Sequence, residues 1–143
     1  MAIRNILVAT DFGEASNGAL EYGRMLARAF GGTLHVFHAA RNAFLSPSVA
    51  DPRLVEEGAR LQLEHSLTAD DRTTLGARAV VATSDFPAEA IVEYARDHAI
   101  DLIVTGTHGR TGMAHAVLGS IAEKIVRTAP CPVLTVKGGV VAV

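Results

Sequence analysis

Short apolar runs alternate along the chain with longer segments whose apolar residues recur at helical spacing. Several runs are rich in β-branched residues, and together they predict five strands. The runs cover residues 6–9, 34–39, 77–82, 102–104 and 133–136. Alternation of buried strands with helices is typical of a mainly parallel sheet covered on both faces. The pattern therefore predicts an α/β fold, a three-layer sandwich with right-handed crossovers.

The segments between the strands predict the helices that cover this sheet. A second helix is predicted over about 52–67, although Gly58 and several charges dilute its apolar residues, and residues 41–51 before it are predicted to form a loop. Asp85 and Pro87 suit the start of a third helix, and a further helix begins near Ser120. One face of the first helix is marked by Ala15, Ala19, Tyr22, Leu26 and Phe30, and one face of the third by Ala88, Ile91, Val92 and Ala95.

Composition limits the classes of function. The 143 residues fit one domain over 1–143, and 49% of them are hydrophobic, enough for a single core. The 13 basic side chains are scattered and the net charge is -2, so neither nucleic acid nor a membrane surface is an expected partner. The lone Cys131 allows no intrachain disulfide, and the run at 6–9 is too short for a signal peptide or a membrane span. A cytoplasmic protein is expected.

The loops after the first and fourth strands hold the most unusual residues. Ligands of such sheets settle beyond the carboxyl ends of the strands, where the strand order reverses. Thr10 and Asp11 follow the first strand, and the glycine-rich stretch GTHGRTGMAHAVLGS, residues 106–120, follows the fourth. Glycines let backbone amides approach phosphates, and the helix starting near Ser120 adds unpaired amides. A nucleotide pocket is predicted, with Asp11 on ribose hydroxyls or on a metal ion.

The same residues have a structural interpretation. Ser120 and Glu123 are spaced as a capping box, which would satisfy helix amides without a ligand. Asp11 could cap the first helix. Glycines 106, 109 and 112 could merely permit left-handed turns. Their spacing matches neither the dinucleotide fingerprint nor a Walker A loop, so both interpretations stay open on the residues alone.

Three separated motifs nevertheless resemble the universal stress protein family. Gly106, two residues, Gly109, nine residues and then Gly119-Ser120 match that family's ATP-binding pattern. The flanking stretches ILVATDF, DLIVTGTHGRTG and APCPVLTVK agree with it, so the resemblance covers essentially the whole chain. Two positions depart from the family's pattern. Gly13 replaces a common serine, and Ser84 replaces a common glycine.

The resemblance implies five parallel strands in the order 3-2-1-4-5 and a homodimer paired through residues 132–137. It also implies bound ATP, with Mg²⁺. Carried over by motif position, Thr10 and Asp11 lie by the adenosine, Ala39 by the adenine, and Gly106, Gly109, Gly119, Ser120 and Ile121 around the phosphates.

Catalysis has weaker support, because phosphoryl transfer needs a positioned nucleophile together with charge stabilisation. No catalytic residue is assigned. His35 and His38 are expected to fill or line the core. The candidate contributors, His108, Arg110, His115, Ser16 and Asp11, all have structural or solvated alternatives. Three classes remain: a nucleotide-responsive stress protein, which is favoured, a slow ATPase or autophosphorylating enzyme, and a nucleotide-free interaction module.

Overall fold

The computed structural model describes residues 2–40, 52–107 and 118–137. Its five strands form one parallel sheet in the order β3-β2-β1-β4-β5, which confirms the expected fold class and strand order. The strands are β1 (Asn5–Ala9), β2 (Thr33–Ala40), β3 (Arg78–Thr83), β4 (Leu102–Gly106) and β5 (Val133–Val136). The helices are α1 (Glu14–Phe30), α2 (Pro52–Ser66), α3 (Ala69–Thr74), α4 (Pro87–Asp97) and α5 (Ser120–Thr128).

Alternate residues of each central strand enter different cores, because successive side chains of a strand point to opposite faces. In β1, Ile6 and Val8 pack with α1 and α2, whereas Leu7 and Ala9 pack with α4 and α5. All four are buried. The strands therefore form the middle of three layers. This double burial is also why they are uninterrupted apolar runs in the sequence.

The buried face of α1 differs from the predicted one. Tyr22 and Phe30 were placed on the core side, but they are 37% and 51% exposed. The helix instead buries small residues, which let it lie close to the sheet. At Gly23, an added Cβ would come within 2.3 Å of the Val8 Cγ2 atom. The core side comprises Ser16, Ala19, Leu20, Gly23 and Ala27.

The predicted second helix is present as α2, but the short helix α3 that follows it was not predicted. Thr68 and Asp71 form a capping box at the start of α3, with each side chain accepting from the other's backbone amide. Asp71 is fully buried and accepts hydrogen bonds from the Arg24 guanidinium at 2.9 and 3.0 Å. A buried ion pair therefore joins α1 to α3.

The third predicted helix is α4, and its four predicted core residues are all buried. Pro87 is its first residue, as expected, but Asp85 does not cap it. Phe86 occupies the cap position without a side-chain hydrogen bond, and the Ser84 hydroxyl accepts from the Phe86 amide at 3.0 Å. The predicted loop at 41–51 lies outside the described residues. Within the parts of the chain that are described, no helix has the length and apolarity needed to cross a membrane.

Candidate functional site

The strand order reverses between β1 and β4. These two strands are neighbours, with Ile6 opposite Leu102 and Val8 opposite Val104. The helix after β1 packs on one face of the sheet, and the helix after β4 packs on the other. Their departure in opposite directions leaves a crevice at the carboxyl ends of the two strands, as in other doubly wound sheets. The structure therefore brings the Thr10–Asp11 turn and the end of β4 to the same crevice, as predicted.

The turn between β1 and α1 is held by its own side chains. Thr10 Oγ1 accepts from the Phe12 amide at 3.0 Å. Asp11 Oδ1 accepts from the Gly13 amide at 2.8 Å and from the Ser16 hydroxyl at 2.6 Å. Phe12 has a φ of 65°, an unfavourable conformation for a non-glycine residue that this hydrogen-bonded turn stabilises.

Asp11 is not the cap of α1, so that structural alternative is wrong. The cap residue is Gly13, which makes no side-chain hydrogen bond, in keeping with the missing hydroxyl at this position. Ser16 is only 5% exposed, and its oxygen also accepts from the Asp11 amide at 3.0 Å. A buried hydroxyl with both roles occupied is suited to holding a turn, not to attacking a phosphate.

The end of β4 requires a glycine for a packing reason. A Cβ on Gly106 would lie 2.8 Å from the Ala15 Cβ atom and 3.3 Å from the Ala15 carbonyl carbon. Among the described glycines only Gly31 and Gly76 have a positive φ, so Gly106 does not serve a left-handed turn. It permits the first turn of α1 to approach the strand. The other glycines of the motif, Gly109 and Gly112, and the loop candidates His108, Arg110 and His115 lie outside the described residues.

The start of α5 is fastened to the end of β4. The Thr107 amide donates to the Val136 carbonyl at 2.9 Å, and the Thr107 carbonyl accepts from the Gly119 amide at 2.6 Å. Gly119 is the cap residue, and Ser120 is the first helical residue. The predicted capping box of Ser120 and Glu123 is therefore wrong. Glu123 forms an ion pair with Arg127 instead.

Ser120 and Ile121 are both exposed at this helix start. They line a shallow hollow of about 180 Å³ that extends to Phe86 and Lys124. The amides at the start of a helix have no partner within the helix and carry a partial positive charge. Because the Gly119 amide is already bonded to Thr107, the amides that follow it are the ones suited to an anion.

The end of β2 borders the same turn. Ala39 lies one residue from the strand end, and His38 Nδ1 is 2.8 Å from the Thr10 carbonyl oxygen, which can only accept. Nδ1 therefore carries the proton, and the His38 ring packs on Phe12 with ring centroids 4.4 Å apart. His35 lies in the core, with Tyr94 and Asn5 on its two nitrogens. Both histidines thus have the structural placement that was expected.

No three His, Cys, Asp or Glu side chains gather as a metal-binding group within residues 2–40, 52–107 and 118–137. Cys131 is a free thiol, and burial raises its pKa. Sequence reasoning missed two features of the site, the Thr107 carbonyl that holds Gly119 and the paired hydrogen bonds of Ser16. Neither leaves a signal in the spacing of residue types, since one is a backbone contact and the other depends on how the turn folds.

Relatives of known sequence share a single family name. The sequence pattern of the Universal stress protein family matches residues 2–137. A universal stress protein from Thermus aquaticus is 32% identical over 138 residues, which are 94% of this chain and 98% of the relative. Universal stress protein MJ0531 from Methanocaldococcus jannaschii is 53% identical over 51 residues, 36% of this chain and 30% of that protein.

Solved structures show the same fold. Protein MJ0577 from Methanocaldococcus jannaschii has a TM-score of 0.76 and 22% identity, over 99% of this chain and 100% of that one. The universal stress protein from Archaeoglobus fulgidus in complex with dAMP has a TM-score of 0.68 and 21% identity, over 96% and 100%. By its sequence pattern and its full-length relative, this chain belongs to the universal stress protein family.

Proposed function

We propose that this chain binds ATP, together with Mg²⁺, at the crevice between β1 and β4, and acts in the cytoplasm as a nucleotide-responsive regulatory protein of the stress response. Occupancy by the nucleotide stabilises the conformation or assembly that binds it better. Efficient catalysis is not part of the proposal. Ser16, a candidate contributor to catalysis in the described part of the crevice, is buried and hydrogen-bonded to Asp11.

The observation that carries this proposal is the position of the start of α5. The hydrogen bond from the Gly119 amide to Thr107 sets this helix end directly beside the end of β4. Phosphate binding at a helix start is favoured by unpaired amides and by the helix dipole. The Thr10–Asp11 turn lies across the strand reversal, where a carboxylate can accept hydrogen bonds from ribose hydroxyls.

The proposed contacts are assigned by motif position. Gly119, Ser120 and Ile121, with Gly106 and Gly109, would surround the phosphates. Thr10 and Asp11 would contact the adenosine, and Ala39 the adenine. The dAMP bound by the Archaeoglobus fulgidus relative supports an adenine nucleotide as the ligand. Mg²⁺ prefers phosphate oxygens with few protein carboxylates, so it would arrive with the nucleotide.

Replacing Gly119 tests this site through charge. A Gly119→Asp variant puts a carboxylate near the proposed phosphate position, and Gly119→Asn is its neutral match. Both residues are good helix caps, and Gly119 has φ −62° and ψ 158°, which either can adopt, so both variants should fold. A carboxylate roughly 8 Å from a phosphate charge costs about 2 kcal/mol at an effective dielectric of about 20. Calorimetric titration with Mg-ATP should show binding at least about thirtyfold weaker in the aspartate variant than in the asparagine variant.

Two results would contradict the site. Absence of Mg-ATP binding by a wild-type protein that is folded by circular dichroism would leave the motif as a glycine-rich turn in an interaction module. Equal affinities of the aspartate and asparagine variants would move the phosphates away from α5. Release of inorganic phosphate, assayed in the same samples, separates a binding protein from a slow ATPase.

The homodimer is proposed through β5, which among the strands of the described residues pairs only with β4, on one side. The Pro132 carbonyl accepts from Ile103 of β4, and the Val136 carbonyl accepts from Thr107, the residue after β4. Strand alternation therefore turns the backbone groups of Val133 and Thr135 outward. An unpaired edge of this kind can pair with a second copy in a closed twofold arrangement. The dimer thus needs the Thr135 N–H group, which the strand pairing within one subunit does not use.

A Thr135→Pro variant should therefore convert the dimer to a monomer while each subunit stays folded. Proline removes one outward N–H group and is tolerated on an edge strand. Thr135→Val, which keeps the N–H group and a similar shape, should remain dimeric. Sedimentation equilibrium at matched concentrations distinguishes the two variants, and a dimer that survives Thr135→Pro would rule out pairing through β5.

A further inference from the structure

The turn between β1 and α1 contains two hydrogen bonds that run in both directions between the same residues. The Ser16 hydroxyl donates to Asp11 Oδ1 at 2.6 Å, and the Asp11 amide donates to Ser16 Oγ at 3.0 Å. The Gly13 amide donates to the same Oδ1 at 2.8 Å. A carboxylate oxygen has two lone-pair sites, so Oδ1 is fully occupied. Within the described residues, Asp11 Oδ2 accepts no hydrogen bond.

Ser16 is the side chain that fixes this carboxylate. It is 5% exposed and lies in the first turn of α1, so its hydroxyl is turned to the protein and not to solvent. The terminal torsion of an aspartate is broad, and its two oxygens exchange easily unless something holds one of them. Gly13 contributes only a backbone amide. In the described part of the chain, Ser16 is the only side chain that donates to Asp11.

We propose that Ser16 is a positioning residue for nucleotide recognition, and that by occupying Asp11 Oδ1 it presents Oδ2 to the sugar hydroxyls of the ligand. This inference rests on the proposed function and adds a specificity to it. The crevice selects nucleotides that carry a 2′- or 3′-hydroxyl, and Ser16 contributes to that selection without contacting the ligand. The buried serine thus has a role that its lack of exposure to solvent would otherwise conceal.

Comparison of ATP with 2′,3′-dideoxy-ATP, which lacks both hydroxyls, tests the inference by calorimetry. A hydrogen bond to a charged group makes wild-type binding of ATP at least about tenfold tighter than binding of the dideoxy nucleotide. In Ser16→Ala, we expect ATP affinity to fall most of the way to that of the dideoxy nucleotide, whose own affinity stays unchanged. Asp11→Ala should abolish the preference, and the double variant should lose nothing more, because the two residues act as one unit.

Weaker binding caused by a destabilised helix must be distinguished from weaker binding caused by a mispositioned carboxylate. Ala27→Gly, in the same helix but away from the turn, costs about 1 kcal/mol in helix propensity, also removes a buried methyl group, and should keep the tenfold preference. Equal loss of both ligands in Ser16→Ala would overturn the inference and leave the proposed function intact. Failure of the wild type to bind either nucleotide would overturn both. If Ser16→Ala does not fold, Ser16→Cys, of similar size but with a much weaker donor, gives the same ratio.

Discussion

Replacing Asp71 by alanine is expected to lower the free energy of unfolding by about 3–5 kcal/mol, the usual cost of removing one partner of a buried ion pair. The side chain of Asp71 is fully buried, and that of Arg24 is 12% exposed. The variant would leave the guanidinium with no partner carboxylate on α3, and with only the exposed Glu21 on its own helix. It would also open the capping box at Thr68. The largest effect is therefore expected in a helix that has no predicted role in the site.

The electrostatics of the pair support this expectation. Burial alone would raise the pKa of the Asp71 carboxyl, but hydrogen bonds from Arg24 and Thr68, with the charge of Arg24, hold it below the usual 3.8. The Arg24 guanidinium donates to both carboxylate oxygens and also to the Ser66 carbonyl at 2.8 Å. These bonds link α1, the end of α2 and the start of α3.

Asp70 provides a matched control, since it precedes Asp71 in the same helix and also pairs with an arginine. Its contact to Arg28 measures 2.9 Å, but the two side chains are 56% and 50% exposed. Exposed pairs contribute about 0–1 kcal/mol, so Asp70→Ala should have little effect. Urea denaturation of both variants at neutral pH measures the difference. Equal costs for Asp70→Ala and Asp71→Ala would contradict the importance of burial.

Acidification from pH 6.5 to 4 is expected to remove about 3 kcal/mol of stability through His35. The imidazole is 2% exposed, and its pKa is lowered from 6.5 to about 4 by burial and by the charges of Arg78 and His98. The unfolded chain takes up a proton near pH 6.5, whereas the folded protein does so only near pH 4. Stability is therefore complete above pH 6.5 and declines as the pH falls through this window.

The hydrogen bonds of His35 explain why the neutral form is preferred. Asn5 Nδ2 donates to the Ala99 carbonyl, which turns Asn5 Oδ1 towards His35 Nε2 at 3.2 Å. Nε2 must then be the donor, and Nδ1 accepts from the Tyr94 hydroxyl at 2.7 Å. A second ring proton, on Nδ1, would require the Tyr94 hydroxyl to stop donating to that nitrogen and to accept from it instead. The cationic form thus needs a rearranged hydrogen bond and loses its hydration, and burial is the largest cause of the lowered pKa.

A His35→Gln variant isolates this contribution, because glutamine does not titrate. Between pH 6.5 and 4, the free energy of unfolding of the variant should fall by about 3 kcal/mol less than that of the wild type. Protonation of Asp71 does not contribute to the change between pH 6.5 and 4. Its pKa is lowered in the folded protein, so the stability that it provides is lost below about pH 3.8. Denaturant titrations at half-unit pH steps provide the measurement. Parallel curves for the two proteins would show that His35 is not the group that titrates.

The sequence predicted the strands well and one helix face poorly, for related reasons. The central strands β1, β2 and β4 are buried on both sides, so their apolar runs stand out at any register. Apart from Leu20, the core side of α1 is made of serine, alanine and glycine, while the larger Tyr22 and Phe30 are exposed. Hydrophobic spacing detects large side chains, but close packing against a sheet favours small ones.

The short polar helix α3 was missed because hydrophobic spacing carries no signal for it. Its residues ADDRTT contain a single apolar side chain, and it is held by a capping box and a buried ion pair. The spacing of Thr68 and Asp71 is a signal that could have located its start. Conversely, the same pattern at Ser120 and Glu123 predicted a box that does not form, because Gly119 takes the cap position.

At the candidate site, the sequence located the strand ends correctly but not the reason for every residue. The nearness of Thr10, Asp11 and Gly106 followed from strand order, which a parallel sheet makes predictable. The fixed carboxylate of Asp11 depends on Ser16, five residues further along. Contacts of this kind arise from the path of the turn, so residue spacing alone does not encode them.

The contact between Gly106 and Ala15 sets a condition for transplanting this motif into another protein. Because Gly106 has no Cβ, the chain that follows β4 starts from a point fixed by the first turn of α1. Copying the glycine stretch alone onto a different parallel sheet would leave its starting point undefined. A graft should carry both segments and their relative placement, so the smallest transferable unit spans the glycine stretch, the start of α1 and the two strands that support them.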